Sequence, residues 1–312
     1  MTAVLDAAAV TPASRVARRT PRSWRRPATG VAALALVVIV WEAVKFLVPA
    51  QGVSIAGVPV LPRTGDGALP HVWSVLAVVV DPVAGAGSES VGAVLVRTTA
   101  TSFGLAAGAF VLGAAVGLLL AVAMERFGLV ERAVLPYVIL SQTVPLIALA
   151  PLVAGWGGRI AIAGQPWQPW MSIVVIASYL AFFPVAIGML AGLRAPSKAS
   201  EELLYCCAAG WWATLVKLRL PASVPHLIPA LRLAAAAAVI GTIVAEISTG
   251  MSGGIGRQII VFSQQATGDA SRLYAAVLAA AVLGLVVTGL VGLLERALRR
   301  YSGTTRPPGG SA

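Results

Sequence analysis

The chain has 312 residues, of which 58% are hydrophobic and only 11% charged, with a mean hydropathy of +0.87 and a formal net charge of +11. A soluble globular chain is about half apolar and about a quarter charged, and a water-exposed domain could not hide this much apolar surface. The composition excludes a water-soluble fold and makes lipid the main solvent.

The basic excess is not the footprint of a nucleic acid, because its charges sit in the gaps between apolar runs rather than on a hydrated face. Lys45, Lys198 and Lys217 are the three lysines, and none follows a glycine. That excludes a phosphate-cradling loop ending in Gly-Lys-Ser/Thr, so no ATP is bound by that route. The adjacent Cys206 and Cys207 form neither a disulfide framework nor a metal site, and two histidines, His71 and His226, are too few for a histidine-based zinc site.

In chain order, residues 1–29 carry six arginines among Pro and Thr and read as a solvated, disordered basic tail. Val31 to Val48 forms a first apolar run of roughly 27 Å as a helix, enough for one bilayer core. It is too long for a signal peptide. Residues 49–90 are broken by Pro and Gly around a short stretch, Trp73 to Val80, read as an interfacial segment. The second run, Thr99 to Met124, carries Gly104, Gly108, Gly113 and Gly117 at near-helical spacing, which suits close helix packing in lipid. The third, Val134 to Gly155, contains Pro136, Pro145 and Pro151 around the polar trio Ser141, Gln142 and Thr143. Backbone freed by proline must face protein or a wet cavity, so the trio is expected to turn inward.

A Trp- and Gly-rich loop, 156–169, leads to the fourth run, Trp170 to Leu193. An amphipathic segment, Arg194 to Pro229, precedes the fifth run, Ala230 to Ser248, and a Gly-rich loop, Gly250 to Gly256. The sixth run, Leu273 to Leu294, ends in an arginine-rich tail. The predicted fold is all-α and polytopic, with six membrane-spanning helices. Its parts are a basic tail (1–29), a first span with an outer segment (30–98), a five-span core (99–300) and a flexible C-terminal tail (301–312). Placing both tails, the 125–133 turn and residues 194–232 on one side collects 17 of the 23 basic residues there. By the positive-inside rule that side is the cytoplasm.

The 194–229 segment carries most of the functional signal. Ser197 suits an N-cap, Glu201 and Glu202 suit a positive helix N-terminus, and Gly210 suits a stop. A second short helix is predicted from Trp211 to Leu220, ending before Pro221. Two short helices joined at a glycine and presenting Leu203, Leu204, Tyr205 and Trp211 outside the membrane read as a docking surface.

This segment resembles the permease subunits of bacterial binding-protein-dependent ABC importers, whose signature runs Glu-Ala-Ala, three residues, Gly, nine residues, Ile, any residue, Leu-Pro. Aligned on Leu220-Pro221, Glu202 falls at the Glu, Leu203 and Leu204 at the two Ala, Ala208 at the Gly and Leu218 at the Ile. The resemblance implies a coupling helix that fits a groove on an ATPase. Leu in place of Ala calls for a wider groove, and Ala208 is expected in an ordinary right-handed backbone, with Gly210 taking over the turn. Gln142-Thr-Val-Pro-Leu-Ile-Ala-Leu-Ala-Pro-Leu152, Val244-Ala-Glu246 and Ser252-Gly-Gly-Ile-Gly256 are similar to the branch that imports sulfonates, taurine, nitrate and vitamin or thiamine-precursor molecules. Residues 264–274 resemble its vitamin-precursor members. The likeness runs from about Leu69 to Arg300 and leaves out the basic tail and the 156–169 loop.

The resemblance further implies a non-catalytic subunit of the bacterial plasma (inner) membrane with both termini cytoplasmic. It also implies two copies of an ABC ATPase subunit that hold ATP and Mg, an extracytoplasmic solute-binding protein and a second copy of this chain. No cofactor is expected on the chain itself, and no nucleic acid. Two other classes stay open. An intramembrane lipid-processing enzyme would need clustered acids or histidines at span ends, where only Glu42 and Glu246 occur. An ion-coupled secondary transporter would need no ATPase and usually shows repeated halves, which are not detected.

Among single residues, Glu246 is expected to act as a gate or pathway group, or to cap the Gly-rich loop, because a mid-membrane acid costs roughly 2.5–3.5 kcal/mol. Arg257 or Arg272 would be its partner, since Arg232 lies about 21 Å away along a helix. Ser141, Gln142, Thr143, Pro145 and Tyr179 either line a solute path or satisfy carbonyls freed by Pro145 and Pro184. Glu42 and Lys45, three residues apart, are expected to pair, and His226 to be a surface histidine.

Overall fold

The computed structural model describes residues 25–55, 58–61, 64–83, 89–162, 164–266 and 269–301. The predicted basic tail up to residue 24 and the C-terminal tail beyond Tyr301 lie outside the described residues. The helices are α1 (Arg25–Leu47), α2 (Val72–Ala77), α3 (Val91–Arg126), α4 (Gly128–Leu140), α5 (Leu146–Gly157), α6 (Pro169–Leu193), α7 (Lys198–Cys206), α8 (Trp211–Thr214), α9 (Leu220–Thr249), α10 (Ile255–Gln265) and α11 (Ser271–Tyr301). Two small antiparallel hairpins, β1 (Val53–Ile55) with β2 (Val58–Leu61) and β3 (Ala161–Ile162) with β4 (Gln165–Pro166), decorate the connections.

Among the described residues, α1, α3, α6, α11 and the continuous stretch Trp211–Thr249 are long and apolar enough to cross a membrane. The pair α4 and α5, bent by 106° at the break between Thr143 and Leu146, is a broken span or a re-entrant loop. The third apolar run is thus two helices meeting at an elbow, broken where Pro145 cannot donate a backbone hydrogen bond.

The bundle is centred on α3, α6 and α9, which meet through small side chains. Ala106, Ala109, Ala177, Ala181, Ala234, Ala235 and Ala238 are all buried there. A Cβ on Gly117 would lie 2.6 Å from the Phe182 carbonyl oxygen, and one on Gly113 2.8 Å from the Ala181 Cβ. Those two glycines let α3 and α6 backbones approach, as lipid-embedded helices require when dispersion is what holds them. Gly104 has nothing within 4 Å and Gly108 only a side-chain methyl at 3.8 Å, so half of the glycine row does the packing.

Several predicted boundaries move. Helix α3 starts at Val91, capped by Ser90, whose Oγ accepts from the Ala93 N–H at 3.3 Å. The fifth crossing does not begin at Ala230. The backbone passes from α8 through a π-helical segment, Leu215–Arg219, into α9 without stopping at Pro221. Pro221 follows directly on the π-helical turn, where the regular hydrogen-bond ladder is already interrupted. Pro225 and Pro229 follow at intervals of four, so the carbonyls they leave free belong to Pro221 and Pro225. All three prolines are exposed on the same face. The predicted interfacial stretch becomes α2 and a 3-10 turn, Val78–Val80. It is half embedded, with Val75 and Val78 in the core and Trp73, Leu76 and Val80 exposed.

Helix α1 stands apart, its spanning window unburied. It is attached at its C-terminal end. The Trp41 indole donates to the Pro70 carbonyl at 3.0 Å and meets the Tyr274 ring edge-on, with centroids 5.3 Å apart. Glu42 and Lys45 do not pair with each other as a simple helix-face reading expects. Glu42 accepts from the Val72 N–H at 2.9 Å and bonds His71 Nδ1 at 2.8 Å. Lys45 donates to Asp66 at 2.5 Å and to the Leu69 carbonyl at 2.6 Å. The Lys45 ammonium holds the Asp66 carboxyl below its ordinary range. Each charge finds a partner in the segment that follows the span, which spacing within one helix cannot reveal.

Candidate functional site: a helical loop at one end and a carboxylate latch at the other

Helix α7 starts as predicted. Ser197 Oγ accepts from the Ser200 N–H at 3.3 Å, and Glu201 lies in the first turn. Its end differs from expectation. Ala208 is left-handed, at φ 54°, and the Ala209 N–H returns to Leu204 O at 3.0 Å while the Ala208 N–H returns to Tyr205 O at 2.9 Å. This is a Schellman turn with alanine where glycine is preferred. Gly210 has ordinary extended angles and caps α8, so the turn is made at the position where the importer signature has its glycine. Ala208→Gly is expected to raise stability by about 0.5–1 kcal/mol, because a left-handed alanine costs roughly 1–2 kcal/mol before the entropy of the unfolded glycine is set against it. Thermal unfolding in detergent checks this. A lower midpoint for the glycine variant would contradict the left-handed turn.

The loop presents Leu203, Tyr205, Trp212 and Val216 to the outside, with Tyr205 84% exposed. Glu202, Gly210 and Pro221 are exposed as well, whereas Leu204, Leu218 and Leu220 are half-buried against the bundle. Cys206 and Cys207 are free and exposed at the helix end. Beneath this face lies a cluster of charges. Arg219 donates through Nε and Nη2 to Glu201 Oε1 at 3.2 and 3.0 Å, and its Nη1 pairs with Glu125 at the end of α3. Arg126 lies over the Trp211 ring at 4.8 Å. Arg194 donates to Glu131 at 2.5 Å. Sequence reading missed Arg219 because it occupies the unspecified position of the signature.

At the opposite end of α9, Glu246 is completely buried. Its Oε1 accepts from Ser102 Oγ at 2.6 Å and its Oε2 from the Gly256 N–H at 2.7 Å, while Ser102 Oγ accepts from the Ile255 N–H at 2.8 Å. The expected arginine partners are not used, and Arg272 donates instead to the Pro82 carbonyl at 3.3 Å. The carboxylate faces the N-terminus of α10, where unpaired N–H groups and the helix dipole favour an anion. A Cβ on Gly254 would lie 2.2 Å from the Glu246 Cδ, so the glycine makes room for the acid. Ser102, the third member, lies 144 residues away in sequence, and a serine inside an apolar run gave no signal of it.

The elbow holds the remaining predicted residues. The Ser141 and Thr143 hydroxyls donate to the Val138 and Leu140 carbonyls at 2.7 and 2.8 Å, and the Tyr179 hydroxyl donates to Ser141 O at 2.6 Å. Pro145 caps α5. Ser141 is half-buried, but Gln142, Thr143 and Pro145 are exposed, so within one chain the trio does not turn inward. Among the described residues no three of His, Cys, Asp and Glu come together to hold a metal.

Five apolar crossings, a bent helix pair and a helical loop packed on one end define a polytopic membrane protein. Residues 113–300 match the family described as the binding-protein-dependent transport system inner membrane component, and the chain belongs to that family. Over 130 residues it is 36% identical to the formylaminopyrimidine transport permease protein ThiX of Halalkalibacterium halodurans, covering 42% of this chain and 48% of that protein. Over 192 residues it is 29% identical to the putative aliphatic sulfonates transport permease protein SsuC of Bacillus subtilis, covering 62% and 65%. The chain thus spans about half to two thirds of the length of these relatives. Its fold matches a crystal structure of an amino acid ABC transporter with a TM-score of 0.51 at 18% identity, covering 65% of this chain and 94% of that one. The family is one of inner-membrane transport subunits, which are not themselves catalytic.

Proposed function

We propose that this chain is the permease subunit of an ATP-driven importer that moves a small organic or oxyanion solute inward across the bacterial plasma membrane. The observation that carries the reading is the exposed apolar face of α7 and α8, fastened to the bundle by charges. Leu203 and Tyr205 on α7, with Trp212 and Val216 at the start of the crossing stretch that follows, form the kind of patch that marks a protein interface. Two ATPase copies holding ATP and Mg dock there in the cytoplasm, on the side of both termini, and an extracytoplasmic solute-binding protein delivers cargo at the Glu246 end. A second copy of the chain completes the pathway. In that pair the exposed elbow residues, Gln142 and Thr143 with Ser141, Pro145 and Tyr179 behind them, line the path, since hydrocarbon cannot solvate an amide. Glu246, sealed from solvent, acts on the gate by holding α10.

The cargo classes are a sulfonate, taurine, nitrate or a thiamine- or riboflavin-type precursor, in keeping with the named cargoes of the relatives. Purification of the tagged chain from cross-linked native membranes is expected to bring down an ATP-hydrolysing chain and a solute-binding protein. Absence of any ATPase from the cross-linked material would sink the reading. Calorimetric titration of the solute-binding protein with taurine, nitrate and formylaminopyrimidine then separates the cargo classes.

A further inference from the structure

Arg219 is the place where three parts of the bundle meet. It ends the π-helical segment that leads into α9, pairs with Glu125 at the end of α3, and reaches Glu201 in the first turn of α7 with two nitrogens at 3.0 and 3.2 Å. The Glu125 side chain is 8% exposed and that of Arg219 20%, whereas Glu201 is 37% exposed. The arginine is therefore anchored on its α3 side and grips the loop on its open side. A planar guanidinium can serve two carboxylates at fixed angles, which a lysine point charge does less rigidly.

Little else fastens α7. None of its residues is fully buried, so apolar packing contributes little to its position. Helix α9 continues from Arg219 for 30 residues, or about 45 Å, and ends in the Glu246 latch on α10. Single π-helical turns inside longer helices mark places where the backbone can adjust without unwinding. The loop that a partner would push, the inner helix α9 and the latch at the far end are thus joined in series, with Arg219 as the first joint.

We propose that Arg219 is a positioning residue that makes α7 and α9 move as one unit, so that displacement of the loop by a partner reaches the far end of the membrane protein. This rests on the reading that an ATPase docks on α7 and α8. The same carboxylates leave the exposed Glu202 free for the partner, so the two neighbouring acids divide between an internal and an external contact.

The test uses the complex of this chain with its ATPase in nanodiscs, with Cys206→Ser, Cys207→Ser and Ser263→Cys placing a single thiol on the exposed side of α10. The rate of labelling by a charged maleimide is compared without nucleotide and after trapping with Mg-ATP and vanadate. Trapping is expected to change the rate several-fold in this parent. With Arg219→Ala the complex still hydrolyses ATP but the change falls below twofold, and Arg219→Lys retains most of it. A full response in Arg219→Ala overturns the proposal. Should that variant fail to assemble, Glu201→Gln, which breaks only the α7 arm, is expected to at least halve the change, and an undiminished response there overturns it equally. ATP hydrolysis with no trapping response in the parent would overturn the docking reading itself, a result distinct from a parent that responds and an Arg219→Ala that responds as well.

Discussion

Replacement of Glu246 by Ala is expected to lower stability by about 3–5 kcal/mol, the range for removing one partner of a buried charged network and leaving a cavity. Its carboxylate is the acceptor for Ser102 and for the Gly256 N–H, and nothing else in the described structure bonds those two donors at that point. Ser102→Ala leaves the Ile255 N–H and one carboxylate oxygen unpaired and should cost about 2 kcal/mol. Because the two residues share one network, the double variant is expected to cost clearly less than the sum. For a chain of this size each kcal/mol moves the unfolding midpoint by about 2–4 °C, so Glu246→Ala should melt roughly 10 °C early in detergent. Midpoints within a degree of the parent for both single variants would show that the latch does not hold α10.

The second large effect concerns the loop. Leu203 and Tyr205 are 65% and 84% exposed, so Leu203→Asp and Tyr205→Ala should leave the melting midpoint of the isolated permease unchanged within error. If they are the apolar anchors of an ATPase interface, each should weaken association by about 2 kcal/mol, or roughly 30-fold. The pair together would then abolish co-purification. Binding of the detergent-solubilised permease to immobilised ATPase measures this directly. Unchanged affinity in the double variant would remove α7 as the docking surface.

The crossings were legible because lipid imposes a simple rule on composition, and Val31 to Val48 or Trp170 to Leu193 satisfies it without help from any other part of the chain. The cap at Ser197 was legible for the same reason, being local. What escaped was long-range or depended on backbone geometry. Pro221 reads as a helix stop, yet the helix runs through it behind a π-helical turn. Ala208 reads as right-handed because its side chain disfavours the alternative, yet the Schellman hydrogen bonds of α7 outweigh that cost. Glu246 advertised itself as an acid in an apolar run, but its partners are a serine on another helix and one backbone N–H, neither of which carries a charge that a sequence reading would match to it. Arg219 was invisible because two of its contacts come from elements, α3 and α7, that only the folded bundle brings beside it. The elbow was half legible. Prolines announced the break, while the 106° bend and the exposure of Gln142 follow from how α5 folds back on α6 and α9.

The central claim, that this chain passes a solute inward under the drive of an ATPase docked on its loop, is tested most directly by uptake into proteoliposomes. The vesicles would contain the permease with its ATPase, with the solute-binding protein outside and radiolabelled taurine, nitrate or formylaminopyrimidine as the probe its calorimetry selects. The account predicts accumulation that requires Mg-ATP on the α7 side, stops with vanadate and is lost in the Leu203→Asp, Tyr205→Ala variant. Accumulation driven by an ion gradient in the absence of ATP and ATPase would contradict it.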